Sequence, residues 1–231
     1  MKDKALSSGA QLVGIITAER ADAIPSYWIP WIHQTYTRKT TDYMEDSASI
    51  VVLGYQVWDD MHELAIMRGD EPEYPGYDGM KLRARKVLGF LRGLGHRAIV
   101  YPYFLPNKRM AQLAGLGAFG KNSLIINPKY GPWIRLQTVL TDAELVPDAP
   151  FEQDLCGDCQ ACIEACPVEA LKPYTVDADT CVLGRYHAIQ DDPKFQPILE
   201  AHMPRLTENS LLMCMACQKA CPYGRAERGL T

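Results

Sequence analysis

Cysteine is confined to the last third of this 231-residue chain: none of its eight copies precedes Cys156. Four stand in CGDCQACIEACP, as Cys156, Cys159, Cys162 and Cys166, spaced C-x2-C-x2-C-x3-C and followed by Pro167. The others are Cys181 and, in CMACQKACP, Cys214, Cys217 and Cys221. Two intervening residues let successive thiolates converge on one small inorganic cubane, and the proline after the last cysteine turns the chain away. Eight thiolates are the complete ligand set of two 4Fe-4S clusters. The alternative chemistry is a pair of structural zinc sites. Zinc also takes four thiolates, but it favours two well-separated CxxC knuckles over a four-cysteine run ending in Cys-Pro.

In bacterial two-cluster ferredoxins the fourth cysteine of such a run ligates the other cluster. On that pattern Cys156, Cys159, Cys162 and Cys221 hold one cluster, and Cys166, Cys181, Cys214 and Cys217 the other. The rival assignment keeps each set of four to itself. Cys166 lies one helical turn beyond Cys162 and so points away from the first cubane, which favours crossing. Clusters joined this way pass single electrons in series. Ferredoxins do this with far fewer residues, so the chain before Cys156 must add a docking surface, a cofactor site or a substrate pocket.

Composition sets the context. The chain is 47% hydrophobic and 23% charged, with a formal net charge of −4. Two oxidised clusters with their thiolates lower this to about −8, which argues against nucleic acid or an anionic membrane as partner. The polar start MKDKALSSGAQLVG lacks the apolar core of a secretory signal, and runs such as IVVLGY are too short to span a bilayer. A cytoplasmic protein is expected, in which the cysteines serve as metal ligands rather than disulfides.

KDKALSS is a short helix, LVGIITA a strand, and SIVVLGYQV (Ser49 to Val57) a strand buried on both faces. Ala84, Val87, Leu88, Leu91 and Leu94 recur at helical spacing between Tyr77 and Gly95, with basic residues on the solvated face. AIVYPY is a strand, and NKRMAQLAGLG a short helix with Asn107 as its N-cap. SLIINPKYGPWIRLQTVLTD reads as a hairpin turning at PKYG. ELVPDAPFEQD is a linker. Trp28, Trp31 and Trp133 are expected in the core. His33, His62, His96, His187 and His202 form no metal-ligand spacing, although His187 lies close enough to Cys181 to tune a cluster.

AGLGAFGKNS contains both GxGxxG and GxxxxGK, with Asp142 downstream where a ribose ligand would be. Both nucleotide motifs need their glycines to open a helix, because the phosphates sit on the helix N-terminus. Here the order is helix, glycine turn, strand. Gly115, Gly117 and Gly120 are better read as a backbone that something large approaches closely. Lys121 is either a cation beside an anionic group or a solvated turn residue.

The run AGLGAFGKNSLIINPKYGPWIRLQTVLTD, a short linker and CGDCQACIEACP follow one another. This order resembles the epoxyqueuosine reductases and, at greater distance, the respiratory reductive dehalogenases. LVGI, SIVVLGY before a long polar gap, and GLGHRAIVYPY extend the likeness over most of the chain. The resemblance implies an α+β fold: a nitroreductase-like cobalamin-binding core, residues 1–146, followed by a bacterial-ferredoxin-like domain with two 4Fe-4S clusters, residues 147–231. In those enzymes a corrinoid lies between the core and the nearer cluster. Gly115, Gly117, Gly120, Lys121 and Asn122 are therefore expected beside cobalamin. Epoxyqueuosine reductases carry a catalytic Asp in a Val-Asp-x-x-Pro context shortly before AGLG, where this chain reads IVYPYFLP. A tyrosine donor is the dehalogenases' device, so Tyr101 and Tyr103 are the candidate general acids.

The expected function is an iron-sulfur oxidoreductase resembling epoxyqueuosine reductase. It would take electrons from a low-potential donor of the ferredoxin or flavodoxin type, pass them through two 4Fe-4S clusters to a corrinoid, and so reduce a small-molecule substrate. The alternative is a non-catalytic electron carrier or activator that docks on a partner enzyme without a corrinoid.

Overall fold

The structure is a computed structural model describing residues 1–29, 35–69, 71–102 and 104–229. It opens with helix α1 (Lys2–Ser7), strand β1 (Leu12–Thr17) and helix α2 (Ala18–Asp22), capped where the Thr17 hydroxyl accepts from the Arg20 amide. A two-stranded ribbon, β2 (Trp28–Ile29) with β3 (Thr35–Tyr36), leads to the long strand β4 (Ser49–Gln56). The polar gap after β4 holds a hairpin, β5 (Leu64–Arg68) with β6 (Glu71–Glu73), before helix α3 (Pro75–Gly93). Strand β7 (Ala98–Val100), helix α4 (Asn107–Leu113) and strands β8 (Ala118–Phe119), β9 (Ile125–Ile126) and β10 (Ile134–Thr141) follow.

Strands β1, β4, β10 and β7 form one antiparallel sheet in the order β1-β4-β10-β7. The apolar run of β4 lies inside it and serves both faces, because alternate side chains point to opposite sides. Ile50 and Val52 pack with Ile16, Met110 and Leu140 under α2 and α4. Val51 and Leu53 pack with Ile15, Val87, Leu91 and Val139 under α1 and α3. The α+β fold expected from the sequence is present.

The cysteine-bearing segment contains α5 (Ala161–Glu164), β11 (Leu171–Lys172), β12 (Thr175–Val176), α6 (Tyr186–Ile189), α7 (Gln196–His202), β13 (Arg205–Thr207), β14 (Ser210–Leu212) and α8 (Ala216–Lys219). Its hairpin joins the earlier one in a second sheet, β13-β14-β5-β6, so strands on both sides of residue 146 share one sheet. Ala65 of β5 is buried with Val182, Tyr186, Leu199 and Met213. The stretch expected as a linker has no regular structure but is tied down. Asp148 accepts from the Ile15 amide at 2.8 Å, and the Phe151 amide donates to the Gln112 carbonyl at 2.9 Å.

Several local expectations are corrected. The stretch 123–142 is not a hairpin: β9 pairs with β8, whereas β10 pairs with β4 and β7. The Asn127 side chain accepts from the amides of Lys129 and Tyr130, fixing the PKYG turn so that its arms leave for different sheets. The strand in AIVYPY ends at Val100, because Tyr101 takes φ +51° and Pro102 has no amide to donate. Asn107 begins α4 rather than capping it, and Pro106 occupies the cap. Trp133 is fully buried, but Trp28 is 47% exposed and meets Tyr36 edge-on at the surface. Trp31, His33 and Tyr103 lie outside the described residues.

Candidate metal centres

The glycine-rich stretch is built as helix, turn, strand, as its order requires, and Asp142 is occupied by His96 and the Arg97 amide. At Gly115 and Gly117 the close approach comes from the protein itself. A Cβ there would stand 2.8 Å from the Ala149 carbonyl oxygen and 2.4 Å from that of Ile126, respectively. Steric demand within the chain therefore accounts for both glycines without a ligand.

The next residues, Gly120-Lys121-Asn122, face the cysteines. Lys121 is only 7% exposed, so the solvated-turn reading is overturned. Its amide donates to Cys156 Sγ at 3.4 Å, and its ammonium donates to the carbonyls of Gly157 at 2.7 Å and Cys159 at 3.1 Å. From the other side Asp154 accepts from the Cys156 amide at 2.9 Å. That bond comes first among the influences holding the Asp154 carboxyl below its ordinary value, and Tyr174 and Lys121 add to it. The first cysteine loop is thus clamped between a buried cation and an anchored carboxylate.

The structure brings the eight cysteines together as two quartets. Cys156, Cys159, Cys162 and Cys221 line one cavity, with Lys121, Asn122, Ile126 and Tyr223. Cys166, Cys181, Cys214 and Cys217 line a second, with Lys108, Asn122, Leu124 and Leu183. Local geometry explains the exchange. Cys162 and Cys217 sit on the single-turn helices α5 and α8, and each helix ends before the next cysteine, Cys166 or Cys221, which leaves on the far side. Close approach of the PKYG turn to the chain after Cys221 holds the second crossing in place. A Cβ on Gly131 would stand 2.0 Å from the Tyr223 carbonyl oxygen.

Four of these thiols do not ionise easily unaided. Burial pushes Cys217 up to about 12 and Cys221 up to about 11, and neighbouring thiols add to both shifts. Cys162 and Cys214 are raised for the same leading reason. A bound cation inverts this balance, since coordinated thiols are deprotonated outright. Around a single zinc ion, with Zn–S near 2.3 Å, four sulfurs lie within about 4 Å of one another. Among the described residues no three His, Cys, Asp or Glu side chains close to the spacing one ion needs. Each quartet instead lines a cavity.

Three further features escaped the sequence reading. Lys108, partly buried, lines the second cavity and donates to the Ser123 carbonyl at 2.8 Å. Burial pushes its ammonium down to about 8; the Arg135 charge adds to this, while Cys217 and Cys181 oppose it. Partly buried Arg135 pairs with buried Glu63. A cavity of about 230 Å³ opens between β5 and the segment after Cys181, walled by Tyr74, Tyr77, Tyr186 and His187. Leu183 belongs to the walls of both this cavity and the second cysteine cavity. Their side chains come from segments far apart in sequence, and no motif marks them.

Residues 155–224 match the family model described as a 4Fe-4S double cluster binding domain. An epoxyqueuosine reductase of Leadbetterella byssophila is 33% identical over 160 residues, spanning 69% of this chain and 51% of that protein. The chain is a homologue of the epoxyqueuosine reductases. A second such enzyme, from Gloeobacter violaceus, is 28% identical over 251 residues, covering 99% of this chain and 76% of its own length. A solved epoxyqueuosine reductase bound to a modified tRNA-Tyr stem loop superposes with a TM-score of 0.71 at 21% identity, over 98% of this chain and 64% of that one. A reductive dehalogenase gives 0.61 at 20% identity, over 99% of this chain and 32% of its own. This homologue thus spans about half the length of the Leadbetterella enzyme. Its cofactors are two 4Fe-4S clusters.

Proposed function

We propose that this protein is an iron-sulfur reductase that passes low-potential electrons through two 4Fe-4S clusters to a corrinoid and from there to a substrate. The observation that carries the reading is the pair of cysteine quartets, each drawing on both ends of the 156–221 segment and sharing Asn122 between their walls. We assign Cys156, Cys159, Cys162 and Cys221 to one cluster, and Cys166, Cys181, Cys214 and Cys217 to the other. The clusters supply one-electron carriers whose potentials depend on hydrogen bonding and exposure.

The chain's own residues do the rest. Lys121 and Asp154 hold the first cysteine loop, and Lys108 sets a partly buried positive charge at the second quartet. Tyr101 is the proposed proton donor. It stands where the strand β7 breaks, and its amide donates to the Thr138 carbonyl at 2.7 Å. Both Tyr101 and Phe104 have positive φ, a conformation costly for such residues and common where geometry serves a function. Tyr103 remains the alternative donor. The division into a core, residues 1–146, and a two-cluster domain, residues 147–231, belongs to the same proposal.

Support for a corrinoid acceptor comes from likeness to a dehalogenase described as B12-dependent. A solved relative binds a tRNA stem loop, so modified RNA joins small molecules among the candidate substrates. No helix of the described residues is long and apolar enough to cross a membrane. Use of all eight cysteines as cluster ligands rather than disulfides fits a reducing, cytoplasmic setting. The test is anaerobic titration of the reconstituted protein with hydroxocobalamin, followed by electron paramagnetic resonance of cobalt(II). A base-off cobalt signal supports the reading. Cobalamin that stays free would leave an electron carrier docking on a partner enzyme.

A further inference from the structure

Asn122 is 5% exposed, and it lines both cysteine cavities. Its Oδ1 accepts from the Leu124 amide at 3.1 Å, which fixes which end of the amide is which. The other end, Nδ2, is buried with no hydrogen-bond partner in the protein. A buried amide donor left without a partner is destabilising, because it has lost its water and gained no hydrogen bond in return. A Cβ on Gly120 would stand 2.6 Å from Ile126 Cγ1 and 2.9 Å from Asn122 Oδ1, so glycine leaves both side chains their positions.

We propose that Asn122 Nδ2 donates a hydrogen bond to cluster sulfur where the two cavities meet, and so raises the potential of the cluster it touches. The inference rests on the reading that both quartets hold clusters. Sulfide and thiolate sulfurs are the acceptors such a group offers, and each electron added makes them more negative. An N–H dipole aimed at them therefore stabilises the reduced state more than the oxidised one. Asn122 acts here as a positioning residue that sets the driving force between two electron carriers, while Lys121 next to it holds the cysteine loop. The GKN turn thus serves both quartets through consecutive residues.

The experiment is a redox titration followed by electron paramagnetic resonance, on reconstituted wild type, Asn122→Leu and Asn122→Asp, each with an iron count. With about eight iron per chain retained, at least one cluster should shift to lower potential in Asn122→Leu, which removes the donor, and less in Asn122→Asp, whose carboxyl stays protonated when buried beside a negative cluster and can still donate. A purely structural role gives no such order. Unchanged potentials at full iron content overturn the inference and leave the two-cluster reading standing. If the variants lose iron, pulsed resonance of reduced wild type grown with ¹⁵N-asparagine decides. A nitrogen coupling supports the hydrogen bond, and its absence overturns it. Wild type without clusters would overturn the functional reading itself, and this inference with it.

Discussion

The ammonium of Lys121 lies 2.7 Å from the carbonyl oxygen of Gly157 and is almost wholly withdrawn from solvent. One side chain from the core thereby fastens the first turn of the cysteine run. Lys121→Met keeps most of the packing volume but removes the charged donor, a loss of about 2 kcal/mol for hydrogen bonds of this kind. The variant should fold around an intact sheet yet lose iron from the first quartet on mild chelation before wild type does. Equal iron loss in the two proteins would show that the clamp is dispensable.

Trp133 ties the cysteine segment to the core. Its ring is fully buried with Val57 and Met215, and the Arg228 guanidinium lies 4.1 Å from the ring centroid. Trp133→Ala should destabilise the holoprotein by roughly 3–5 kcal/mol, the usual cost of deleting a large buried aromatic. Chemical denaturation of the reconstituted protein reads this directly.

Acid should loosen the same junction. Burial works against the Asp60 charge, but Lys219, 2.8 Å away, and Arg228 outweigh it and hold the carboxyl below its ordinary value of 3.8. The folded pKa therefore lies below the unfolded one. The stabilisation is complete above the unfolded value and is lost as pH falls through the folded value. Asp60→Asn should cost roughly 1 kcal/mol at neutral pH. The gap between the two proteins should begin to narrow below about pH 4 and close once pH lies under the folded value; a gap that never narrows on acidification would rule out Asp60 ionisation as its source.

If Tyr101 donates a proton to the reduced substrate, Tyr101→Phe should lower turnover by roughly 100-fold or more. Iron content and cobalamin binding should stay unchanged. Tyr103→Phe, made in parallel, separates the two candidates.

Much of this arrangement was legible in the sequence for identifiable reasons. Strand β4 could be read because a strand buried on both faces is continuously apolar, and α3 because its apolar positions keep helical spacing. The cysteine spacing carried the cluster chemistry, since short fixed intervals constrain local geometry strongly. What escaped depends on distant contacts. Nothing local to Leu64–Arg68 indicates that it pairs with Ser210–Leu212. The turn after Asn127 looked like a hairpin because two β-rich runs flank it, and only tertiary pairing sends them apart. Asn122 was visible as a site residue, but its unpaired amide between two cavities exists only in the folded chain.

The central claim is that two cubanes are held by quartets that exchange their fourth cysteine. Iron counting on paired alanine variants tests it most directly. Wild type reconstituted without oxygen should hold about eight iron, and Cys156→Ala with Cys221→Ala about four, because both belong to one quartet. Cys156→Ala with Cys166→Ala should lose both clusters. The reverse outcome, four iron retained in the second pair and none in the first, would contradict the account.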